Sequence, residues 1–244
     1  MQRQRERAAA RTAWHLVVRA HQPGAVAEVL VVETGRGRVR RLVHQAAVGH
    51  EPAECRAVLQ VAAGLSTRAN PRNKLLVATP GDDAAQPMVR RSAEILLTSR
   101  VRSVIVVTGH EAADVEAALD GLDVTFVHNP DYADGMASSL AVGIAALPDG
   151  VSGALIALGD MPKLETATVD ALIDTFDGAV GRSIYLPVQE GRRGNPVLFS
   201  QTHFSSLSAL TGDRGGKAVV QANPDAVTEV AVADPGIHLD FDNP

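Results

Sequence analysis

From residue 56 onward, short apolar runs alternate with amphipathic stretches at a spacing that leaves few folds open. Residues 57–61, 103–108 (enclosing Val-Ile-Val-Val), 124–127 and 153–158 read as strands. Between and after them, 87–99, 111–119, 136–147 and 166–176 read as helices. In the first of these, Met88, Ile95 and Leu96 fall at helical spacing and Pro87 suits a first turn. Strand and helix in strict alternation predict a Rossmann-like α/β fold, a mostly parallel sheet with helices on both faces and right-handed crossovers. After residue 180 the rhythm changes. Residues 184–188 and 196–199 flank a glycine-containing tip at 189–195, which predicts a small β-excursion. Helical pieces follow at about 201–210 and 215–221, then a strand at 228–232.

A chain of 244 residues can bury a full core, and with 3% aromatics that core is built from Val, Leu, Ile and Ala. No apolar run approaches the length of a membrane span, so no membrane partner is expected. The single cysteine, Cys55, excludes an internal disulfide framework and fits a reducing, cytoplasmic setting. The eight histidines never take zinc-finger or His-Glu-x-x-His spacing. A net charge of −5 argues against a general nucleic-acid binder.

That average hides a break in charge. Residues 1–56 carry ten Arg and five Glu with no Lys or Asp, a balance of +5, and the remainder carries −10. The leading segment has weak periodicity apart from the run at 26–32. It is expected to be a poorly packed basic segment. A basic arm for a partner, the remnant of a fused domain and a misassigned start all fit it. Residues 57–244 read as one domain.

The stretch Val61-Ala-Ala-Gly-Leu-Ser-Thr-Arg-Ala-Asn-Pro-Arg-Asn-Lys-Leu-Leu76 follows the first strand of that domain. Small residues let backbone N–H groups approach an anion, and Arg68, Arg72 and Lys74 can neutralise it. A polyphosphate cradle at the carboxyl end of a strand is one reading, and an ordinary basic turn is the other. Neither Gly-x-x-x-x-Gly-Lys-Ser/Thr nor Gly-x-Gly-x-x-Gly is present, so a Walker loop and a dinucleotide fingerprint are excluded.

Asp160, in Leu158-Gly-Asp-Met-Pro162, ends a buried strand at the same edge of the sheet. A carboxylate opposite a phosphate loop suits a divalent cation between them, although Asp also serves as a cap or turn residue. Asp240 and Asp242 alternate near the chain end and offer a further carboxylate or an exposed acidic tail. Ser138 and Ser139 sit where a helix begins, as oxygen ligands or plain caps. Residues 192–196 and 212–217 combine glycine with cations and fit a second anionic ligand or solvated turns. His203 fits a satisfied half-buried histidine better than a ligand contact.

Together these segments resemble the molybdenum cofactor cytidylyltransferases, over about residues 57–244. The matching motifs occur in the family's order: Val61–Arg68 with Asn73-Lys-Leu-Leu76, Asn129-Pro…Tyr132…Gly135-Met…Ser139-Leu, Leu158-Gly-Asp-Met-Pro162, Arg193-Gly-Asn-Pro-Val-Leu-Phe199, Gly212-Asp-Arg-Gly-Gly216 and Asp240-Phe-Asp-Asn-Pro244. Ala62-Ala63-Gly64 and Asn73-Lys74, in place of Ala-Gly-Gly and Asp-Lys, lean toward cytidylyl over guanylyl transfer. Arg68-Ala69-Asn70 stands where the family has Arg-Met-Gly, and Asn tolerates the left-handed backbone such a loop needs. Gln60 stands in a strand that is elsewhere apolar, and Asn243 replaces Thr.

The resemblance implies a nucleotidyltransferase fold and transfer of CMP from CTP to the phosphate of molybdenum-bearing molybdopterin, with release of pyrophosphate. It implies Ala62, Ala63, Gly64, Ser66, Lys74, Asn129 and Ser139 on the nucleotide, with Lys74, Arg68 and Asp160 as catalytic residues. It places Mg²⁺ on Asp160 and Asp240, and the pterin side on Arg193, Asn195, Gly215 and Gly216. A recipient molybdenum hydroxylase would be a further partner. Transfer to another phosphorylated acceptor, use of GTP, and a non-catalytic cofactor-delivery role are the alternatives.

Overall fold

The chain divides into two compact units, residues 1–52 and 53–244. The computed structural model describes residues 14–19, 28–33, 56–63, 73–79, 85–176 and 182–239. In the first unit β1 (Trp14–Arg19) and β2 (Glu28–Glu33) pair antiparallel, with Trp14 opposite Glu33 and Arg19 opposite Glu28. Most of the periodic run at 26–32 falls in β2.

The second unit opens with β3 (Arg56–Ala62), α1 (Met88–Leu97), β4 (Ser103–Thr108), α2 (Ala112–Ala118) and β5 (Thr125–His128). It continues with α3 (Met136–Ala145), β6 (Gly153–Leu158), α4 (Thr166–Thr175), β7 (Ile184–Gln189), β8 (Arg192–Arg193) and β9 (Val197–Ser200). It closes with α5 (Phe204–Ser208), α6 (Gly216–Ala222) and β10 (Val227–Ala231). The sheet runs β10-β7-β9-β6-β3-β4-β5, with β8 paired onto β7. β3 lies parallel to both β4 and β6, β4 parallel to β5, and β7 parallel to β10.

β3 is the spine because it is buried on both faces, as continuous apolar strands of α/β sheets are. Val58 and Ala62 face one core with Val89, Ala93 and Leu96 of α1, Val115 of α2 and Leu172 of α4. Leu59 faces the other, with Leu140 of α3, Leu207 of α5 and Val219 of α6. The period of two along β3 therefore assigns α1, α2 and α4 to one layer and α3, α5 and α6 to the opposite one. Each buried Leu or Val adds about 1.5–3 kcal/mol to the drive for this arrangement. Gln60 points into the α1 layer, fully buried, where its Nε2 donates to the Val89 carbonyl at 3.3 Å.

Two expectations need refinement. Pro87 occupies the N-cap of α1, where its carbonyl accepts from Arg91 N at 3.1 Å, one position before the first turn. The segments around the glycine tip are mostly main sheet: β9 inserts antiparallel between β6 and β7, with Gly153 opposite Ser200 and Ile184 opposite Phe199. Ile184, Tyr185, Leu186, Leu198 and Phe199 are all buried, and only a sheet covered on both faces hides them. The excursion itself shrinks to β8, which pairs Val188 with Arg193 and Gln189 with Arg192.

Candidate functional site

The strand order reverses at β3. Its next strand in sequence, β4, lies on one side, and β6 lies on the other. Open α/β sheets bind ligands at the carboxyl ends of the strands flanking such a reversal. Here those ends are Ala62-Ala63 and Gly159-Asp160. Gly159 N donates to Val61 O at 3.0 Å, so the β3–β6 pairing runs to the last residue before Asp160. Asp160 thus leaves the sheet in a fixed position, 7% exposed.

Lys74 reaches it from the other segment. Asn73 caps a 3₁₀ turn over Lys74–Leu76 by accepting Leu75 N on its Oδ1 at 3.1 Å, and Leu75 is buried beneath. The cap and the buried leucine fix the backbone at Lys74, and its Nζ lies 2.6 Å from Asp160 Oδ2. Asp160 Oδ1 is buried and has no hydrogen-bond partner among the described residues. An unsatisfied buried acceptor costs about 1–3 kcal/mol. A half-neutralised carboxylate with one unclaimed oxygen fits a hard divalent cation, whose ligands are oxygens.

A second assembly forms where β5 meets α3. Asn129 is fully buried, and its Nδ2 donates to Ser138 Oγ at 2.8 Å and Ser139 Oγ at 3.0 Å. Its Oδ1 accepts Asp131 N at 3.0 Å. Asn129 and Ser139 therefore bind one another, fixing the first turn of α3 to the end of β5. Gly135 precedes that helix at φ 105°, and a Cβ there would stand 2.5 Å from the carbonyl carbon and oxygen of Gly212. Glycine is required on both counts. Ala137 N donates to Gly212 O at 3.0 Å, so the 129–139 loop and the 212–216 loop are one structure. Gly215 caps α6 and Gly216 begins it.

Arg193 and Asn195 lie elsewhere on the sheet. Arg193 Nε pairs with Glu229 Oε1 across β7 at 2.7 Å, both side chains about half exposed. Asn195 is exposed, and its N–H donates to Ile237 O at 3.0 Å. Gly64, Ser66, Arg68, Asp240 and Asp242 lie outside the described residues. His203 is structural: its Nε2 is 2.7 Å from Ser183 Oγ, its ring packs edge-on to Phe199, and burial lowers its pKa.

Sequence reasoning passed over one buried acid. Asp234 is 2% exposed and accepts three hydrogen bonds, from Glu165 N, Thr168 Oγ1 and Gly236 N. The signal was Asp234-Pro-Gly, a turn signature that marks the local bend and hides the distant partners.

A strand-order reversal carrying a paired Lys and Asp places charged groups where open α/β sheets bind ligands. Residues 58–227 match the model of the MobA-like NTP transferase domain, and the chain belongs to that family. It is 27% identical to the nicotine blue oxidoreductase of Paenarthrobacter nicotinovorans, over 80% of this chain and 96% of the relative. It is 31% identical to the molybdenum cofactor cytidylyltransferase of Escherichia coli K12 over 40% of this chain, which spans about half, 48%, of that enzyme.

Among solved structures, Rv0371c of Mycobacterium tuberculosis H37Rv superposes with a TM-score of 0.64 at 29% identity, covering 78% of this chain and 93% of that one. The same protein has been solved in complex with manganese, with a TM-score of 0.58 at 27% identity and coverage of 73% and 88%. A nucleotidyl transferase from Methanothermobacter thermautotroptrophicus shares the fold, with a TM-score of 0.66 at 22% identity over 78% of this chain and 93% of its own. Among the described residues, no helix is long and apolar enough to cross a membrane.

Proposed function

We propose that this nucleotidyltransferase moves CMP from CTP onto the terminal phosphate of a molybdenum-bearing molybdopterin. A cofactor phosphate oxygen bonds to the α-phosphorus, the bond from that phosphorus to the bridging oxygen of the β-phosphate breaks, and pyrophosphate leaves with the electron pair. The observation that carries this reading is the Lys74–Asp160 pair at the β3/β6 reversal. Ala62-Ala63-Gly64 and the similarity to a cytidylyltransferase favour CTP.

In this reading the backbone of Ala62, Ala63, Gly64 and Ser66 holds the triphosphate. Lys74 stabilises charge at the α-phosphate and Arg68 stabilises the leaving pyrophosphate, a task of positioning and charge neutralisation. Asn129 and Ser139 act by holding the first turn of α3 against the nucleotide. Arg193, Asn195, Gly215 and Gly216 serve the pterin side. Asp160, through its unclaimed Oδ1, and Asp240 would hold Mg²⁺, which supplies Lewis-acid polarisation of the reacting phosphates when bound. Among the described residues, no three His, Cys, Asp or Glu side chains converge on one point, and Mg²⁺ commonly completes its coordination with substrate phosphates and water. A molybdenum hydroxylase in the cytoplasm would receive the product.

The likeness to nicotine blue oxidoreductase over nearly that protein's whole length favours a second reading, a redox enzyme on the same fold. Pyrophosphate release separates the two. The purified chain is given CTP or GTP with Mg²⁺ and molybdenum cofactor, and in parallel nicotine blue with a chemical reductant. Cofactor-dependent release with CTP supports the proposal. Dye reduction without pyrophosphate supports the redox reading.

A further inference from the structure

The carboxyl ends of β6, β7 and β10 share one edge of the sheet, because β9 runs antiparallel to both β6 and β7, and β10 is parallel to β7. Asp160 follows β6 at that edge, and Arg193, Gly194 and Asn195 follow β7 there through the β8 tip. The sheet itself does not join the two segments. β9 pairs with β6 only as far as Val197 opposite Ile156, and among the described residues no backbone hydrogen bond links 157–165 to 193–196.

A turn after β10 bridges them. Pro235–His238 is a 3₁₀ turn that Asp234 caps, its Oδ1 accepting Gly236 N at 2.7 Å. On one side the turn meets the Asp160 segment. Asp234 Oδ2 accepts Glu165 N at 2.9 Å and Thr168 Oγ1 at 2.8 Å, and a Cβ on Gly236 would overlap the Lys163 carbonyl. On the other side it meets the tip. Ile237 is buried, its carbonyl accepts Asn195 N at 3.0 Å, and a Cβ on Gly194 would stand 2.6 Å from Ile237 Cγ1 and from that carbonyl oxygen. Gly194 N also donates to Pro187 O at 2.9 Å, so retreat of the tip from Ile237 would break its bond to β7. Arg193 and Asn195 are nevertheless exposed. A backbone held from two sides beneath exposed side chains is a rigid mount, which groups that bind a ligand need.

We infer, on the proposed assignment of that tip to the acceptor, that the Asp234–His238 turn sets the distance between the tip and Asp160. Asp234 and Ile237 are the positioning residues at its two ends, and an anionic acceptor held at the tip is thereby presented to the nucleotide phosphates at Asp160. Misplacing a reactant by about 1 Å costs about a hundredfold in rate.

The test uses the full chain with one variant at each end of the turn. Gly194→Ala forces the tip away from Ile237, and Asp234→Ala frees the turn from α4. Steady-state transfer from CTP to molybdenum cofactor with Mg²⁺ gives KM for each substrate. Hydrogen exchange at the Asn195 amide, read by NMR, reports the contact itself, and circular dichroism establishes folding. Both variants are expected to exchange that amide faster and to lose about a hundredfold in kcat/KM for the acceptor, with KM for CTP at the wild-type value. Wild-type acceptor kinetics in the folded variants overturn the inference alone, whatever the exchange rate, and so does an equal rise in both KM values. No transfer by the wild type overturns the acceptor assignment and the inference with it. Should Asp234→Ala fail to fold, Gly194→Ala decides on the same readings.

Discussion

Lys74 Nζ and Asp160 Oδ2 meet at 2.6 Å, 86 residues apart in sequence, with side chains only 19% and 10% exposed. Removing Lys74 leaves the Asp160 carboxylate charged and buried without its cation. Lys74→Met is therefore expected to destabilise the fold by about 1–3 kcal/mol, measured by urea denaturation. In the proposed reaction it also removes charge stabilisation at the α-phosphate and lowers kcat by about 10²–10³.

Asp160→Asn keeps the shape of the side chain and removes its charge. The fold is expected to persist, since Asn can still approach Lys74 through its carbonyl oxygen. Turnover is expected to fall by at least about a hundredfold, with a melting temperature close to wild type. Near-normal turnover in a folded Asp160→Asn protein would remove Asp160 from the reaction.

Gly135→Ala places a side chain at φ 105° and within 2.5 Å of the Gly212 backbone. The expected cost is about 1–3 kcal/mol, visible as a lowered urea midpoint. Because the strain falls between the loop assigned to the nucleotide and the loop assigned to the acceptor, KM for both substrates is expected to rise. Gly121→Ala, at a positive φ with nothing within 4 Å of the added Cβ, is the control for backbone strain without a clash.

Burial lowers the pKa of His203 from the usual 6.5. The folded state therefore resists protonation more than the unfolded chain does. The stability is fully present above pH 6.5 and is lost as pH falls from there through the folded pKa. Denaturation midpoints between pH 5 and 7.5 are expected to show this slope in wild type and a flatter one in His203→Gln. Equal slopes would mean that His203 is not the group responsible.

The sheet was legible because its strands are apolar runs of the right length, and burial on both faces leaves little else for 103–108 or 153–158 to be. The helices were legible from spacing, as in Met88, Ile95 and Leu96, all buried in α1. Candidate residues at the ends of strands were legible one at a time: Lys74 and Asp160 were each singled out. Their contact was not, because an ion pair between residues 86 apart has no local pattern. The Asn129–Ser139 bond, the Arg193–Glu229 pair and the Asp234 clamp were hidden for the same reason. Each depends on which segments the sheet brings together, and sequence spacing encodes only neighbours along one element. The insertion of β9 between β6 and β7 was missed on related grounds, since a strand's apolar pattern is silent on its direction and neighbours.

Transfer of CMP from CTP to a molybdopterin phosphate is followed with CTP labelled with ³²P at the α position, supplied together with Mg²⁺ and molybdenum cofactor. The label is expected on the cofactor in wild type, in amounts matching the pyrophosphate released, and is expected to be absent from it with Asp160→Asn. Label that stays in CTP while the cofactor is consumed or bound unchanged would rule the transfer out.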